Sequence, residues 1–132
     1  MGKEVKIYLT ACGRRKKRDA QKINAIERYI SKRIKNIYEK SKKDSIPFRI
    51  LSGKFGLLEP DKKIEWYDKL LLKKDFPELS KLILNQIKNQ NIKEIIFFAI
   101  NPKEDKLSKP YLDIMKKICL ENNIKLKIIF VK

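Results

Sequence analysis

Histidine is absent from this chain of 132 residues. Without an imidazole, Ser-His-Asp catalysis, Cys-His catalysis and histidine-containing zinc sites are excluded. Cysteine is scarce as well, because Cys12 and Cys119 are the two in the chain and lie far apart in the sequence. They cannot form a tetrahedral thiolate site by themselves, and they give no indication of a disulfide framework. We therefore expect no metal site and a reducing compartment.

Long apolar runs are also missing. No run approaches the roughly 18 residues that a membrane-spanning helix needs. The N-terminal residues lack the uninterrupted apolar core of a signal peptide. These absences predict a cytoplasmic protein with no membrane contact. The length predicts one domain, covering residues 1–132.

Acidic residues are few relative to basic ones: the chain has 33 Lys and Arg but 16 Asp and Glu, which gives a net charge of +17. Such an excess favours a polyanionic partner, because clustered cations gain affinity by releasing counterions from phosphates. The excess is mostly lysine, and isoleucine and asparagine are abundant too. An A+T-rich genome or life at high temperature produces the same composition. Both explanations stay open at this stage.

Strand and helix patterns alternate along the chain. Alternating or continuous apolar runs predict strands, whereas apolar residues three and four positions apart predict helices. The predicted strands cover residues 5–11, 48–52, 94–100 and 126–131. The predicted helices begin near residues 19, 77 and 109. This order predicts an α/β fold: a single three-layer domain with about four mainly parallel strands and three long helices.

Ligands of such sheets bind beyond the carboxyl ends of the strands. Three predicted loops follow strand ends here, at residues 12–18, 52–68 and 101–109. We expect these loops to converge around one pocket.

The first loop begins with Cys12 and Gly13 and continues with five cations at residues 14–18. Its position between a strand and a helix favours anion binding, with Lys16 as one contact. Nearby positive charges lower the pKa of a thiol and so make it more reactive, which makes Cys12 a candidate nucleophile. The alternative is that Cys12 is an inert, small apolar side chain. The glycine spacing of phosphate-binding and dinucleotide-binding loops is absent, and we predict no cofactor.

The second loop contains Ser52, Gly53, Lys54, Phe55 and Gly56. Its two glycines permit a tight bend around a small ligand. Lys54 lies between them and is suited to contact a phosphate or, if desolvated, to act as a base or amine nucleophile. The alternative is a surface lysine on a tight turn.

The second loop ends with Trp66, Tyr67 and Asp68. The two aromatic rings either stack on a nucleobase or fold the loop onto the sheet. Asp68 either accepts hydrogen bonds from a base or ribose and acts in acid–base chemistry, or caps a helix.

These motifs resemble a known family. The loop Cys-Gly-x-x-Lys, the segment Leu-Ser-Gly-Lys-Phe-Gly-Leu-Leu-x-Pro-Asp and the later x-Tyr-Asp are similar to the YaaA-like group, which includes the peroxide-stress protein YaaA and small prokaryotic and viral domains. The resemblance implies an α/β fold, a positively charged cleft, DNA binding and a link to nucleobase or nucleotide chemistry. It is specific over residues 51–68. Phe55 stands where His or Tyr is common, and Trp66 replaces a proline, so an activity that needs an imidazole would be lost.

The sequence thus predicts a domain that binds a nucleotide or nucleic acid, either DNA or RNA, in a basic cleft, with or without a reaction on the base. The alternative is a non-catalytic nucleic-acid-binding module, or a structural protein whose charge is compositional. The candidate catalytic residues are Cys12, Lys54 and Asp68. The candidate substrate-binding residues are Gly13, Lys16, Ser52, Gly56, Trp66 and Tyr67.

Overall fold

The computed structural model describes residues 3–13, 15–18 and 20–131. Its strands are β1 Val5–Ala11, β2 Ile23–Asn24, β3 Phe48–Ser52, β4 Gly56–Leu58, β5 Lys63–Ile64, β6 Ile92–Ile100 and β7 Lys125–Val131. Its α-helices are α1 Ala25–Arg28, α2 Lys32–Asp44, α3 Phe76–Asn89 and α4 Lys109–Glu121. Short 3-10 turns, Lys73–Asp75 and Lys106–Ser108, precede α3 and α4.

The central sheet has five strands in the order β4-β3-β1-β6-β7. The strands β3, β1, β6 and β7 run parallel to one another, and β4 is antiparallel to β3. The chain passes from β1 to β3 on one side and later returns to place β6 on the other side of β1. The direction of winding therefore reverses between β1 and β6, which is the topological switch point of the sheet. The predicted α/β class is confirmed, with β4 as an additional strand.

Helices cover both faces of the sheet. On one face, Ile34 and Ile37 of α2 are buried in a cluster with Tyr8 and Phe98. On the other face, α3 and α4 pack with β1 and β6 in a second buried cluster. Successive residues of β6 enter opposite clusters, because side chains of a strand alternate between its faces. This explains why the sequence of β6 is nearly continuously apolar. Within the described ranges, no helix is long and apolar enough to cross a membrane.

The expectation of one helix running on from residue 19 is wrong. Strand β2 pairs with β5, α1 has four residues, and α2 begins only at Lys32. Ser31 is the N-cap of α2 and accepts a hydrogen bond from the backbone N–H of Ile34 at 3.2 Å. Ile30, which fitted the helical spacing, is 47% exposed. Residue 19 itself lies outside the described residues.

Arg28 supplies the physical reason for this interruption. Its side chain is completely buried, and its guanidinium donates hydrogen bonds to the carbonyl oxygens of Lys17, Gln21 and Ile64 at 2.6, 2.7 and 2.9 Å. A buried charge is tolerated only with such partners. These bonds join α1 to the loop after β1 and to β5, and this tertiary arrangement overrides the local helical pattern.

Candidate functional site

A cleft of about 530 Å³ opens at the carboxyl ends of β1 and β6. Its walls come from the loop after β1, from residues 68–70 and from the segment 105–111, so parts of all three predicted loops meet there. The cleft lies at the topological switch point, where ligands of open α/β sheets bind. Its volume is also in the usual range for a small-molecule site. We call it the switch-point cleft.

Cations line this cleft from three parts of the chain, and one of them, Lys69 in the segment 68–70, forms an ion pair with Asp75 at 3.5 Å. Arg15 and Lys16 belong to the loop after β1, and Arg33 belongs to the first turn of α2. The guanidinium of Arg33 donates hydrogen bonds to Thr10 Oγ1 and, at 3.0 Å, to the carbonyl oxygen of Ala11. These bonds hold it at the end of β1. Arg14, which was counted in the basic run, lies outside the described residues.

Two acidic residues are also part of the cleft wall, Asp68 and Asp105. Asp105 accepts a hydrogen bond from the backbone N–H of Leu107 at 3.0 Å, and its charge acts on Arg33. Asp68 is exposed and makes no hydrogen bond or ion pair to another described residue. Burial lowers the pKa of Arg33, which nevertheless stays a cation because arginine starts from a very high value. Among the described lining residues, the cations therefore outnumber the carboxylates.

Cys12 lies in the cleft wall and is half-buried. Its thiol donates a long hydrogen bond to Tyr111 Oη at 3.6 Å. Burial raises the pKa of Tyr111 above its ordinary value, which keeps that hydroxyl protonated. Part of the Cys12 side chain packs against the apolar clusters on both faces of the sheet. Cys12 is thus both a packing residue and a group that a ligand of the cleft can reach.

Ser52 and Tyr67 do not line the switch-point cleft, contrary to the expectation that they belong to this pocket. Ser52 is fully buried, and its Oγ accepts hydrogen bonds from the backbone N–H groups of Lys54 and Phe55 at 3.1 and 3.0 Å. Because these use both lone pairs, the Ser52 hydroxyl donates to Tyr67 Oη, 2.9 Å away. Tyr67 then donates to Tyr29 Oη at 2.5 Å. Burial raises the pKa of both tyrosines, and the chain of hydroxyls stays neutral.

Lys54 and Gly56 also lie away from the cleft, contrary to the expectation from the glycine-lysine loop. The ammonium of Lys54 forms an ion pair with Glu65 at 3.0 Å, and both side chains are well exposed. Gly56 begins β4 with a φ of +70°, a conformation that favours glycine. The loop therefore forms a tight hairpin between β3 and β4 rather than a wall of the cleft.

A smaller cavity of about 260 Å³ adjoins the switch-point cleft, and we call it the side groove. It shares Arg15, Lys16, Ile30 and Asp68 with the cleft. Its remaining lining residues are Arg18, Trp66 and Tyr67.

Cations cover aromatic rings in the side groove. The Lys16 ammonium lies 4.6 Å from the centroid of the Tyr67 ring, and the Arg18 guanidinium lies 4.9 Å from that of Trp66. Tyr67 is 4% exposed and supports the groove from below, whereas Trp66 is 38% exposed. Trp66 is therefore the aromatic ring of the groove that a ligand can reach.

Sequence reasoning missed Arg33 and Tyr111 as cleft residues. Arg33 was placed in the interior of a helix, although Ser31 is a strong N-cap residue. A helix start at Ser31 would have put Arg33 in the first turn, next to the end of β1. Tyr111 belongs to the apolar side of α4 and is buried. Its hydroxyl reaches the cleft because α4 begins at the cleft wall.

Fold and site together define a doubly wound α/β domain with a cation-lined cleft at its switch point. Residues 7–121 match the model of a family of unknown function, DUF6884. The chain belongs to this family. The matched range contains every residue of the switch-point cleft and of the side groove. No curated protein and no solved structure matches the chain.

The two cysteines should differ sharply in reactivity, because Cys12 opens into the cleft and Cys119 is 2% exposed in the core. Burial raises the pKa of Cys119 to about 11, so its reactive thiolate is scarce at neutral pH. We expect iodoacetamide to modify one thiol in the native protein and both in denaturant, as measured by intact mass. Cys12→Ser should remove the native reaction. Rapid native labelling of Cys119 would contradict this packing.

Proposed function

We propose that the chain binds a nucleotide or nucleic acid in the switch-point cleft, with phosphate held by Arg15, Lys16 and Arg33. The observation that carries the proposal is the convergence of these three cations at the carboxyl ends of β1 and β6. The N-terminus of α2 lies beside them and adds its positive dipole end to the same place. Asp68, exposed between the cleft and the side groove, is placed to accept hydrogen bonds from a sugar or a base.

Cys12 is the nucleophile in this proposal if a reaction follows binding. Its thiol lines the cleft within hydrogen-bonding distance of the protonated Tyr111 hydroxyl. Lys54 has no such role, because its ammonium is engaged with Glu65 outside the cleft. The resemblance to the YaaA-like group remains part of the proposal and agrees with it in substrate class. A cytoplasmic location belongs to it too, since Cys12 and Cys119 are free thiols.

The alternative function is a non-catalytic nucleic-acid-binding module in which the general charge of +17 provides the affinity. The inward packing of Ser52 and Tyr67 supports it, since these residues act as scaffold there. The two proposals differ in where charge matters. Binding in the cleft depends on particular cations, whereas general electrostatic attraction depends on the total charge of the protein.

Lys16→Ala should therefore weaken binding of a nucleoside triphosphate and of a short oligonucleotide several-fold. It should also reduce the slope of log affinity against log salt concentration for the oligonucleotide by about the amount that corresponds to one phosphate contact. Fluorescence anisotropy and calorimetry over a range of salt concentrations measure both. Lys93→Ala is the matched control, because Lys93 is exposed near the start of β6, at the opposite end of the sheet. Lys54→Ala is a second control. Equal losses in all three variants would favour general attraction and overturn the cleft proposal.

A further inference from the structure

The side groove extends the switch-point cleft past the cations that separate them. Arg15 and Lys16 belong to both cavities, together with Ile30 and Asp68. The groove alone, at about 260 Å³, is smaller than the usual site for a complete small molecule, whereas the cleft is not. The geometry points to one ligand with two parts, joined where Arg15 and Lys16 lie.

Building on the proposed function, we propose that this ligand is a single-stranded nucleic acid. One nucleotide enters the switch-point cleft, its neighbour lies in the side groove against Trp66, and the phosphate between them contacts Lys16 and Arg15. A phosphodiester places an anion between the two bases of adjacent nucleotides. In this arrangement the phosphate lies at the cations Arg15 and Lys16, and the second base lies at the exposed indole of Trp66.

Trp66 and Arg18 carry the chemistry of the second position. The indole is 38% exposed, and it is paired with an exposed guanidinium 4.9 Å from its centroid. Indole and guanidinium surfaces both stack on nucleobases, and such stacking tolerates any base. The guanidinium is also free to turn from the indole to a phosphate, because Arg18 is a surface residue. Exposed aromatic surface among cations is the usual composition of a single-strand groove.

Duplex nucleic acid does not fit this arrangement. Its bases are stacked on each other and paired, and their faces cannot reach an indole without flipping. A duplex can use only the exposed cations of the surface, which gives salt-sensitive binding with no contact to Trp66. The proposal therefore predicts that single strands contact Trp66 and that duplexes do not.

Trp66 is the one tryptophan in the chain, and its fluorescence reports on the side groove directly. Thymidine monophosphate, an oligothymidylate of roughly eight nucleotides, the corresponding oligouridylate and a duplex of equal length serve as probes. We expect both single strands to quench Trp66, while the mononucleotide binds in the cleft with little quenching. The oligothymidylate and oligouridylate then distinguish DNA from RNA by their relative affinities.

Trp66→Ala should lower single-strand affinity roughly tenfold, as loss of one stacked base does. It should leave mononucleotide affinity and the melting temperature nearly unchanged, and Trp66→Phe should retain most of the affinity. The inference would be overturned if single strand and duplex bound equally, or if Trp66→Ala kept full single-strand affinity. In either case, mononucleotide binding that depends on Lys16 would still support the proposed function. Absence of Lys16-dependent binding with any probe would overturn both.

Discussion

Arg28→Ala is expected to lower the free energy of unfolding by about 3 kcal/mol or more, because breaking a buried charged network has costs of this size. Arg28 is completely buried and donates to three main-chain carbonyl oxygens. The oxygen of Ile64 lies in the interior, where water cannot replace the lost donor. The variant also leaves a cavity at the position of a large side chain.

The same variant should weaken binding in the switch-point cleft, although Arg28 itself does not reach it. The loop after β1 is attached to α1 through Arg28 and through the backbone bonds Lys17 N to Arg28 O, at 2.7 Å, and Ile30 N to Arg15 O, at 2.8 Å. Arg28→Ala keeps the backbone bonds but removes the side-chain bond to the carbonyl oxygen of Lys17, which loosens the loop that carries Arg15 and Lys16. Binding should fall even under conditions in which the variant is still folded.

Chemical denaturation and binding measurements on Arg28→Ala and Arg15→Ala test this expectation. Both variants lose one positive charge, but Arg15 is exposed, and its backbone contacts do not depend on its side chain. Arg15→Ala should therefore change stability by no more than about 0.5 kcal/mol. Equal stability of the two variants would show that the buried network does not hold the loop.

The fold could be predicted from the sequence where the local pattern and the tertiary packing agree. The continuous apolar run of β6 required cover on both faces, and the structure provides it. Pro77 fits the first turn of α3, and Ser45 ends α2 in a left-handed conformation with a φ of 57°. The convergence of the loops followed from topology, because parallel strands bring their carboxyl ends to one edge.

The interruption before α2 could not be predicted from periodicity. Residues with helical spacing can also be covered in other conformations: Ile23 is half-buried in the short strand β2, and Ile26 is buried in the single turn α1. What decides between these conformations is the pairing of β2 with β5 and the bonds of Arg28. Both depend on residues distant in the sequence.

The assignment of Lys54 and Gly56 to the site failed for a related reason. A loop with two glycines that flank a lysine and a phenylalanine is equally suited to a ligand and to a tight hairpin. The deciding contact comes from α3, where the Gln86 amide accepts from the backbone N–H of Leu57 at 2.8 Å and donates to the carbonyl of Phe55 at 3.1 Å. Nothing near Gly56 in the sequence indicates this partner.

Gly56→Val should destabilise the fold by about 3 kcal/mol through two effects that act together. Gly56 has a φ of +70°, which a β-branched residue adopts only with strain. A Cβ atom there would also lie 2.5 Å from Gln86 Oε1. The amide of Gln86 would have to move and would leave the backbone N–H of Leu57 without its acceptor at the sheet edge.

Gly13→Ala is the matched control for this prediction. A Cβ atom at Gly13 would make ordinary contacts, 3.7 Å to Ser31 Cβ and 3.9 Å to Ile34 Cδ1. Its melting temperature should therefore stay close to that of the parent, whereas that of Gly56→Val should fall by roughly ten degrees or more. Because Gly56 is part of the hairpin, nucleotide affinity of Gly56→Val should be retained at temperatures where it is folded. If Gly56→Val had normal stability but did not bind nucleotide, Gly56 would belong to the ligand site, and the scaffold role of the loop would be contradicted.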